Sequence, residues 1–419
     1  VGAGRFAELS AGRRADETAK RMMLPLSALA AATEAAEAEG AAGWTVLQGR
    51  RPPEWAAAAA AEGKRVLSGK FNIGGQKHFY METHACVATP AEDGKLVLVC
   101  GTQSPQKTQQ SVAAALGVGQ HKVDVRVRRV GGAFGGKLSQ QLPTAVVAAV
   151  AATKLRVPIR LHHERCDDMA AIGGRAPLEA SWSAAFDDQS GVVSSVHLEL
   201  SYDSGCTDGA GADGDLGMAV WWADNCYRHE DWSCGGGIVH SHRAGNTACR
   251  APGVIQSVPL HEYVLEQVAD VARLPPDAVR EANLYKSGDV TPFGDKIGID
   301  YNWTVPSMWA KAKADWGVDG RRAAIATFNT ANRWRKRGLS LLPVKYGITL
   351  SGYKMASTVR IFADGTVHVV HGGAEVGQGI HTKVAQAVAF ALGCPLASVA
   401  VGDTSAIDAP NSDETGGSG

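Results

Sequence analysis

Eight cysteines are scattered at positions 86, 100, 166, 206, 226, 234, 249 and 394, and no two of them form a C-x-x-C pair. That absence argues against a zinc site or an iron–sulfur cluster built by this chain and favours reduced thiols of an intracellular protein. Charge of one sign is also missing. Lys plus Arg number 42 and Asp plus Glu number 42, so net charge gives no argument for nucleic acid or a membrane surface as partner. The basic run Arg126–Arg129 sits in a strand-like alternation and reads as a solvated face. No apolar run reaches membrane-spanning length, since the alanine-rich stretches Ala56–Ala61 and Ala145–Ala152 are short. The chain opens on Val1 with no basic-then-apolar leader pattern, so nothing directs secretion, and a cytoplasmic or peroxisomal location is the expectation. Nucleotide loops are absent too: there is no G-x-G-x-x-G opening a helix after a strand and no G-x-x-x-x-G-K-[ST]. No internal repeat recurs at a fixed period.

What remains is a globular chain of 419 residues, 45% hydrophobic and 20% charged, long enough for two to three domains. Thr33–Ala42 reads as a short helix, and another alanine-rich helix follows the Pro52–Pro53 turn. Val123, Val125 and Val127 mark a strand, and Pro143–Leu155 reads as a buried helix leading into a strand at Val157–Leu161. Helices are expected at Gln109–Leu116, Glu262–Arg273, Pro275–Leu284 and Thr382–Leu392, and a long strand at Val192–Tyr202. Asp364-Gly365 joins two alternating runs, Ser357–Phe362 and Thr366–His371, as a hairpin, and Leu396–Val401 reads as a strand. Strands and helices mix without βαβ regularity, so the expectation is α+β. The expected domains are a remnant at 1–65, a first cofactor domain at 66–305, a helical connector at 306–335 and a second cofactor domain at 336–419.

The chemistry-bearing feature is a set of three glycine-rich turns: GTQSPQKTQ (Gly101–Gln109), RRVGGAFGGK (Arg128–Lys137) and HGGAEVGQGIHTK (His371–Lys383). Glycines let backbone N–H groups approach a polar ligand and permit φ > 0 where a side chain forbids it. Amides and glutamines arranged this way suit a large, oxygen-rich cofactor.

The wording of these turns resembles the molybdenum-binding part of the xanthine dehydrogenase and aldehyde oxidase family. Further blocks carry the likeness in the family's order: GGQKHFYMETH (Gly74–His84), which looks like the strand entering the molybdenum lobe, then VPIRLHHERCDDM and GGR (Val157–Arg175), which is similar to the strand–turn segment. ADNCY and NTACRAPG (Ala223–Gly253), LPPDAVREANLYKSGDVTPF and KRGLSLLPVKYGI complete it, so the resemblance covers roughly residues 65–419. It implies two mixed α/β lobes enclosing molybdenum-molybdopterin at their interface, with the second lobe truncated. By the same resemblance Gln103 lies over the metal, while Phe134, followed by Gly135, offers a backbone amide to a metal oxygen. Arg250 does likewise, Gly377 and Gln378 hold the pterin, and Gly416, Gly417 and Ser418 line the metal's other side. The molybdenum is held through the pterin, nearest Gln103, Phe134, Arg250 and Gly417. An apolar residue such as Phe134 on such a turn favours an enclosed site.

Family members hydroxylate a carbon beside a heteroatom with water-derived oxygen and use a glutamate of a G-E-P segment as base. No Gly-Glu dipeptide occurs here, so no catalytic residue is assigned and the expected glutamate lies beyond Gly419. Iron–sulfur and flavin (FAD) domains are expected elsewhere in the same polypeptide, which would form a homodimer when full length, and the chain alone is expected to be inactive. The substrate pocket departs from the purine-oxidising pattern. Leu138 replaces a glutamate, Met218 an arginine, and Pro252 and Leu350, beside Ser351, replace two phenylalanines. Stranding polar groups of a purine against such side chains is costly, so aldehydes, and N-heterocycles after them, are the expected substrates. The alternatives are a xanthine dehydrogenase acting on purines and a non-catalytic remnant that keeps the fold only.

Three histidine features need weighing. His162 and His163 are adjacent on a strand and face opposite ways, so they do not chelate together. His240 and His242 share a face but lack a third ligand. His371 and His381 flank the third glycine turn, where support of the cofactor and a plain structural role are equally open.

Overall fold

Val123, Val125 and Val127 are buried and the residues between them are not, which is the period-2 signature of a strand with one face on a core. The computed structural model describes residues 46–48, 55–207, 212–298, 303–347 and 354–416. In chain order the described elements begin with β1 (Val46–Gln48), α1 (Trp55–Ala61), β2 (Arg65–Ile73), β3 (Ala85–Pro90), β4 (Leu96–Cys100) and α2 (Pro105–Leu116). Then come β5 (Val123–Val127), α3 (Leu142–Leu155), β6 (Ile159–His162), α4 (Arg165–Ala171), β7 (Leu178–Phe186), β8 (Val193–Gly205) and α5 (Ala212–Trp222). They continue with β9 (Asp231–His240), α6 (Val254–Ala272), α7 (Pro276–Asn283), α8 (Val305–Asp315) and α9 (Val318–Ala331). The last are β10 (Ser357–Ile361), β11 (Val367–His371), α10 (Ile380–Leu392), β12 (Val399–Val401) and β13 (Thr404–Ser405). The expected helix Thr33–Ala42 lies outside the described residues.

Among the described residues the strands form three open sheets, in the orders β1-β9-β8-β7-β2, β13-β5-β4-β3-β6 and β10-β11-β12. All three mix parallel and antiparallel pairs, and the α+β class holds. The largest core lies under the first sheet, where Leu260, Val264, Leu265 and Val268 of α6 meet Trp182, Leu198 and Tyr202. Under the second sheet, α3 buries Ala145, Ala148, Ala149 and Ala152, a helical stripe of small side chains that lets its backbone lie close to β3.

Two edges tie distant parts of the chain together. β1 adds to the first sheet through β9, and β13 adds to the second sheet through β5. Thr404 and Ser405 therefore bring the C-terminal part of the chain against the loops after β4 and β5. One expectation fails locally. Gly74–His84 is not a strand but irregular chain with a single bridge between Gln76 and Arg175, and Phe79 there takes φ 50°. Its backbone is claimed by loops rather than by a neighbouring strand: Glu82 N–H donates to Gly131 O, and Arg175 N–H donates to Gln76 O.

Candidate cofactor site

The first glycine turn leaves β4 at Gly101, where a Cβ would stand 2.8 Å from Glu82 Oε1. Gln103 follows and is 4% exposed, so it is no solvated turn residue. Its backbone N–H donates to Lys137 O at 2.9 Å, and its Oε1 accepts from Gly135 N at 3.1 Å and Lys137 N at 3.3 Å. On the other side its Nε2 donates to Thr415 O at 2.7 Å, while Thr415 N donates back to Gln103 O at 2.9 Å. One side chain thereby joins the first turn, the second turn and the chain end.

The second turn runs outward from there. Phe134 has φ 53°, Gly135 has φ 98°, and a Cβ on Gly135 would overlap the Ala248 carbonyl oxygen. Phe134 O accepts from Arg250 N at 2.9 Å, which fixes the arginine-bearing loop to the turn. The Phe134 N–H has no hydrogen-bond partner among the described residues, and neither does the exposed guanidinium of Arg250. Phe134 itself is 45% exposed. Gly135 N and Phe134 O are both pinned, which sets the backbone at 134. Met218 on α5 lies beside the loop after Arg250, since a Cβ on Gly253 would stand 2.8 Å from Met218 Cβ. Pro252 is half-buried in that loop, and Leu138 approaches Gly416, whose virtual Cβ is 3.9 Å from Leu138 Cδ2. Leu350, Ser351, Gly417 and Ser418 lie outside the described residues.

The third turn closes on a carboxylate that the sequence reading passed over. Glu375 Oε1 accepts from Gly377 N at 2.9 Å and Gly379 N at 3.0 Å, and Oε2 accepts from His381 N at 3.2 Å. Burial pushes the Glu375 pKa up, but these backbone donors more than offset it and hold the group below the ordinary glutamate range. Gln378 also folds inward on its own turn, with Oε1 on Val376 N at 2.7 Å and Nε2 on Ala374 O at 2.9 Å. His371 and His381 meet at 3.0 Å, and because His371 Nδ1 accepts from Gly373 N, the proton between the rings comes from His371 Nε2. The turn is knitted to the other two by Val130 N–H on Glu375 O at 2.8 Å and Ala374 N–H on Thr415 Oγ1 at 2.7 Å.

Beneath the second turn lies a buried charged layer. Lys137 is fully buried, with Nζ 3.3 Å from Glu82 Oε2 and 4.9 Å from the Tyr80 ring centre. Burial lowers the Lys137 pKa, and Glu82 works against that. His84 and Asp168, also buried, pair at 2.6 Å. Sequence reasoning missed this layer, because its members come from segments with no period to betray them. Elsewhere His162 and His163 do part company, bonding Thr83 and Thr144 respectively, and among the described residues no group of three candidate ligands surrounds a metal position.

The chain matches the family described as molybdopterin cofactor-binding domain over residues 45–284, and a second family of the same description over residues 310–419. It is 35% identical over 377 residues to a nicotinate hydroxylase of Emericella nidulans, covering 88% of this chain and 27% of that protein. It is 36% identical to a xanthine dehydrogenase/oxidase of Gallus gallus, with 85% of this chain and 26% of the relative covered. An aldehyde oxidase of Cavia porcellus is 36% identical, with 84% and 26% covered. The chain thus spans about a quarter of the length of these relatives. In solved structures it is similar to the aldehyde oxidoreductase from Desulfovibrio gigas, with a TM-score of 0.74 at 20% identity over 89% of this chain and 40% of that one.

Proposed function

Given that the chain belongs to the family of molybdopterin cofactor-binding domains, we propose that it forms the cofactor cradle of a molybdenum hydroxylase that oxidises aldehydes. The observation that carries the reading is that Gln103 joins the first turn to the second turn and to Thr415, while the Arg250 loop is tied to the second turn at Phe134 O and the third turn to Val130 and Thr415. The residues fit an oxygen-rich group: the Phe134 N–H and the Arg250 guanidinium, unpartnered among the described residues, stand on loops joined at 2.9 Å. In this proposal Gln103, Phe134, Gly135 and Arg250 face the molybdenum end, Gly377 and Gln378 the pterin, and Gly416, Gly417 and Ser418 the remaining side. The cofactor, when bound, supplies an acidified water as nucleophile and a two-electron acceptor. The chain's own work is to hold that group, orient it and shape the substrate approach.

Leu138 and Met218 support aldehydes over purines, because neither side chain returns a hydrogen bond to a polar ring. A second reading, hydroxylation of an N-heterocycle, draws on the likeness to a nicotinate hydroxylase. Iron–sulfur and flavin partners in the same polypeptide, a homodimeric assembly and a cytoplasmic or peroxisomal site complete the proposal. Among the described residues no helix is long and apolar enough to cross a membrane. The test is elemental and pterin analysis of the full-length polypeptide that contains this chain. Near-stoichiometric molybdenum with a pterin is expected, and absence of both would overturn the reading.

A further inference from the structure

The irregular segment 74–84 makes two contacts that the cofactor reading leaves unused. His78 Nε2 lies 2.9 Å from Ala248 O, and His84 Nε2 lies 3.2 Å from Gly136 O. A carbonyl oxygen only accepts, so in both cases the ring nitrogen carries the proton. The two carbonyls belong to the two loops that meet at the site. Gly136 follows the Phe134–Gly135 pair, and Ala248 stands two residues before Arg250 on the loop that Gly135 presses against.

His84 is more tightly specified. Its Nδ1 faces Asp168 Oδ1 at 2.6 Å, and Asp168 Oδ1 also accepts from the His84 backbone N–H at 3.0 Å. Burial pushes the Asp168 pKa up, but the donors from His84 and Tyr80 outweigh it and keep the carboxyl below its ordinary range, hence ionised. Nε2 of His84 donates to the turn carbonyl, while Nδ1 lies between the Asp168 carboxylate and the Tyr80 hydroxyl, 3.0 Å away. Burial holds the His84 imidazole pKa below its ordinary value, with Lys137 adding to the fall and Asp168 opposing it. His84 is fully buried and Asp168 nearly so, which leaves no water to take over either bond. Gly136 itself has no room for a side chain, since a Cβ there would lie 2.9 Å from the His78 ring and from Tyr80 Cε1.

We propose that His84, oriented by Asp168, and His78 are positioning residues that set the second glycine turn and the Arg250 loop at their working separation by grasping the carbonyls of Gly136 and Ala248. The proposal rests on the reading of these loops as a cofactor cradle, but its first test does not. Amide hydrogen exchange of the chain reads the turn directly. The reporters are Gly135 and Lys137 N–H, which bond Gln103 Oε1, and Gly136 N–H, which bonds Ala133 O. His84→Gln keeps a donor at the place of Nε2, whereas His84→Asn keeps only the group near Nδ1.

His84→Asn is expected to speed exchange at these amides about tenfold, and His84→Gln to restore most of the protection. His84→Leu fills the space without a donor; if it protected these amides as well as His84→Gln does, the role would be merely space-filling and the proposal overturned. Should His84→Asn fail to fold, His78→Phe takes its place. It keeps an aromatic ring without the donor and should speed exchange at the Arg250 amide, which bonds Phe134 O; unchanged exchange there counts against the proposal. Molybdenum content of the full-length polypeptide separates the two levels of inference. It should fall in His84→Asn and recover in His84→Gln. A loosened turn with unchanged molybdenum would instead sink the cofactor role of the turn and leave the role of His84 standing.

Discussion

Gly135 is pressed so closely on the Ala248 carbonyl that no side-chain carbon fits between them, and with φ 98° it holds a backbone shape that alanine resists. Gly135→Ala must either push the Arg250 loop away or strain the turn. A cost of about 1–3 kcal/mol is expected, seen as a lower denaturation midpoint, with molybdenum content of the full-length polypeptide falling alongside.

Gln103 satisfies groups on both of its flanks, so its substitutions separate. Gln103→Ala leaves the Gly135 and Lys137 N–H groups without their acceptor, a loss of about 1–3 kcal/mol. Gln103→Glu keeps the acceptor but removes the donor to Thr415 O. Limited proteolysis should therefore show the segment around Thr415 cut faster in both variants. Exchange protection at Gly135 should be lost in the alanine variant only.

Glu375 gives a pH signature with a definite sign. Its folded pKa is depressed, so its contribution to stability is fully present above the unfolded glutamate value of about 4.3 and is lost as pH falls through the lower folded value. Glu375→Gln should remove that part of the acid dependence. The amide also presents N–H groups to the backbone donors of Gly377, Gly379 and His381, so the variant should be less stable at neutral pH. Chemical denaturation at stepped pH values below 5 and at 7 reads both effects.

The pocket substitutions address substrate choice. In the full-length enzyme an apolar or aromatic aldehyde should have a higher kcat/KM than xanthine, because unpaired polar groups cost about 1–3 kcal/mol each to desolvate. Leu138→Glu combined with Met218→Arg should raise purine oxidation relative to aldehyde oxidation, with Pro252 limiting the gain. Steady-state kinetics on both substrate types decides it, and a parent enzyme that prefers xanthine would reverse the substrate reading.

Much of the local structure was legible because local signals agreed. The Asp364-Gly365 hairpin forms as expected with Gly365 at φ 84°, and α10 ends at Gly393 in the left-handed region. The expected helix from Gln109 in fact starts at Pro105, whose ring suits a first helical turn, and the polar run Gln106–Gln110 continues it. The helix expected from Glu262 starts at Val254, because Pro259 inside it hid the first two turns. Leu396–Val401 splits into a 3-10 turn and a short strand. The glycine turns could be read as ligand-facing, but the carboxylate at 375 and the histidines at 78 and 84 could not. Their partners lie in other segments, and nothing in their own neighbourhood reports a long-range hydrogen bond.

The bond between Gln103 and Thr415 spans 312 residues of chain. During synthesis at roughly 5–20 residues per second, Gln103 would wait about 16–60 s for that partner to emerge. In that interval the sheets carrying the first two turns can already pair, since β3, β4, β5 and β6 lie within residues 85–162. The third turn and β13 are synthesised after those strands, and β13 then pairs with β5. Among the described residues, the bond from Gln103 to Thr415 is thus a late, long-range closure, formed only after the chain carrying the first two turns has been made.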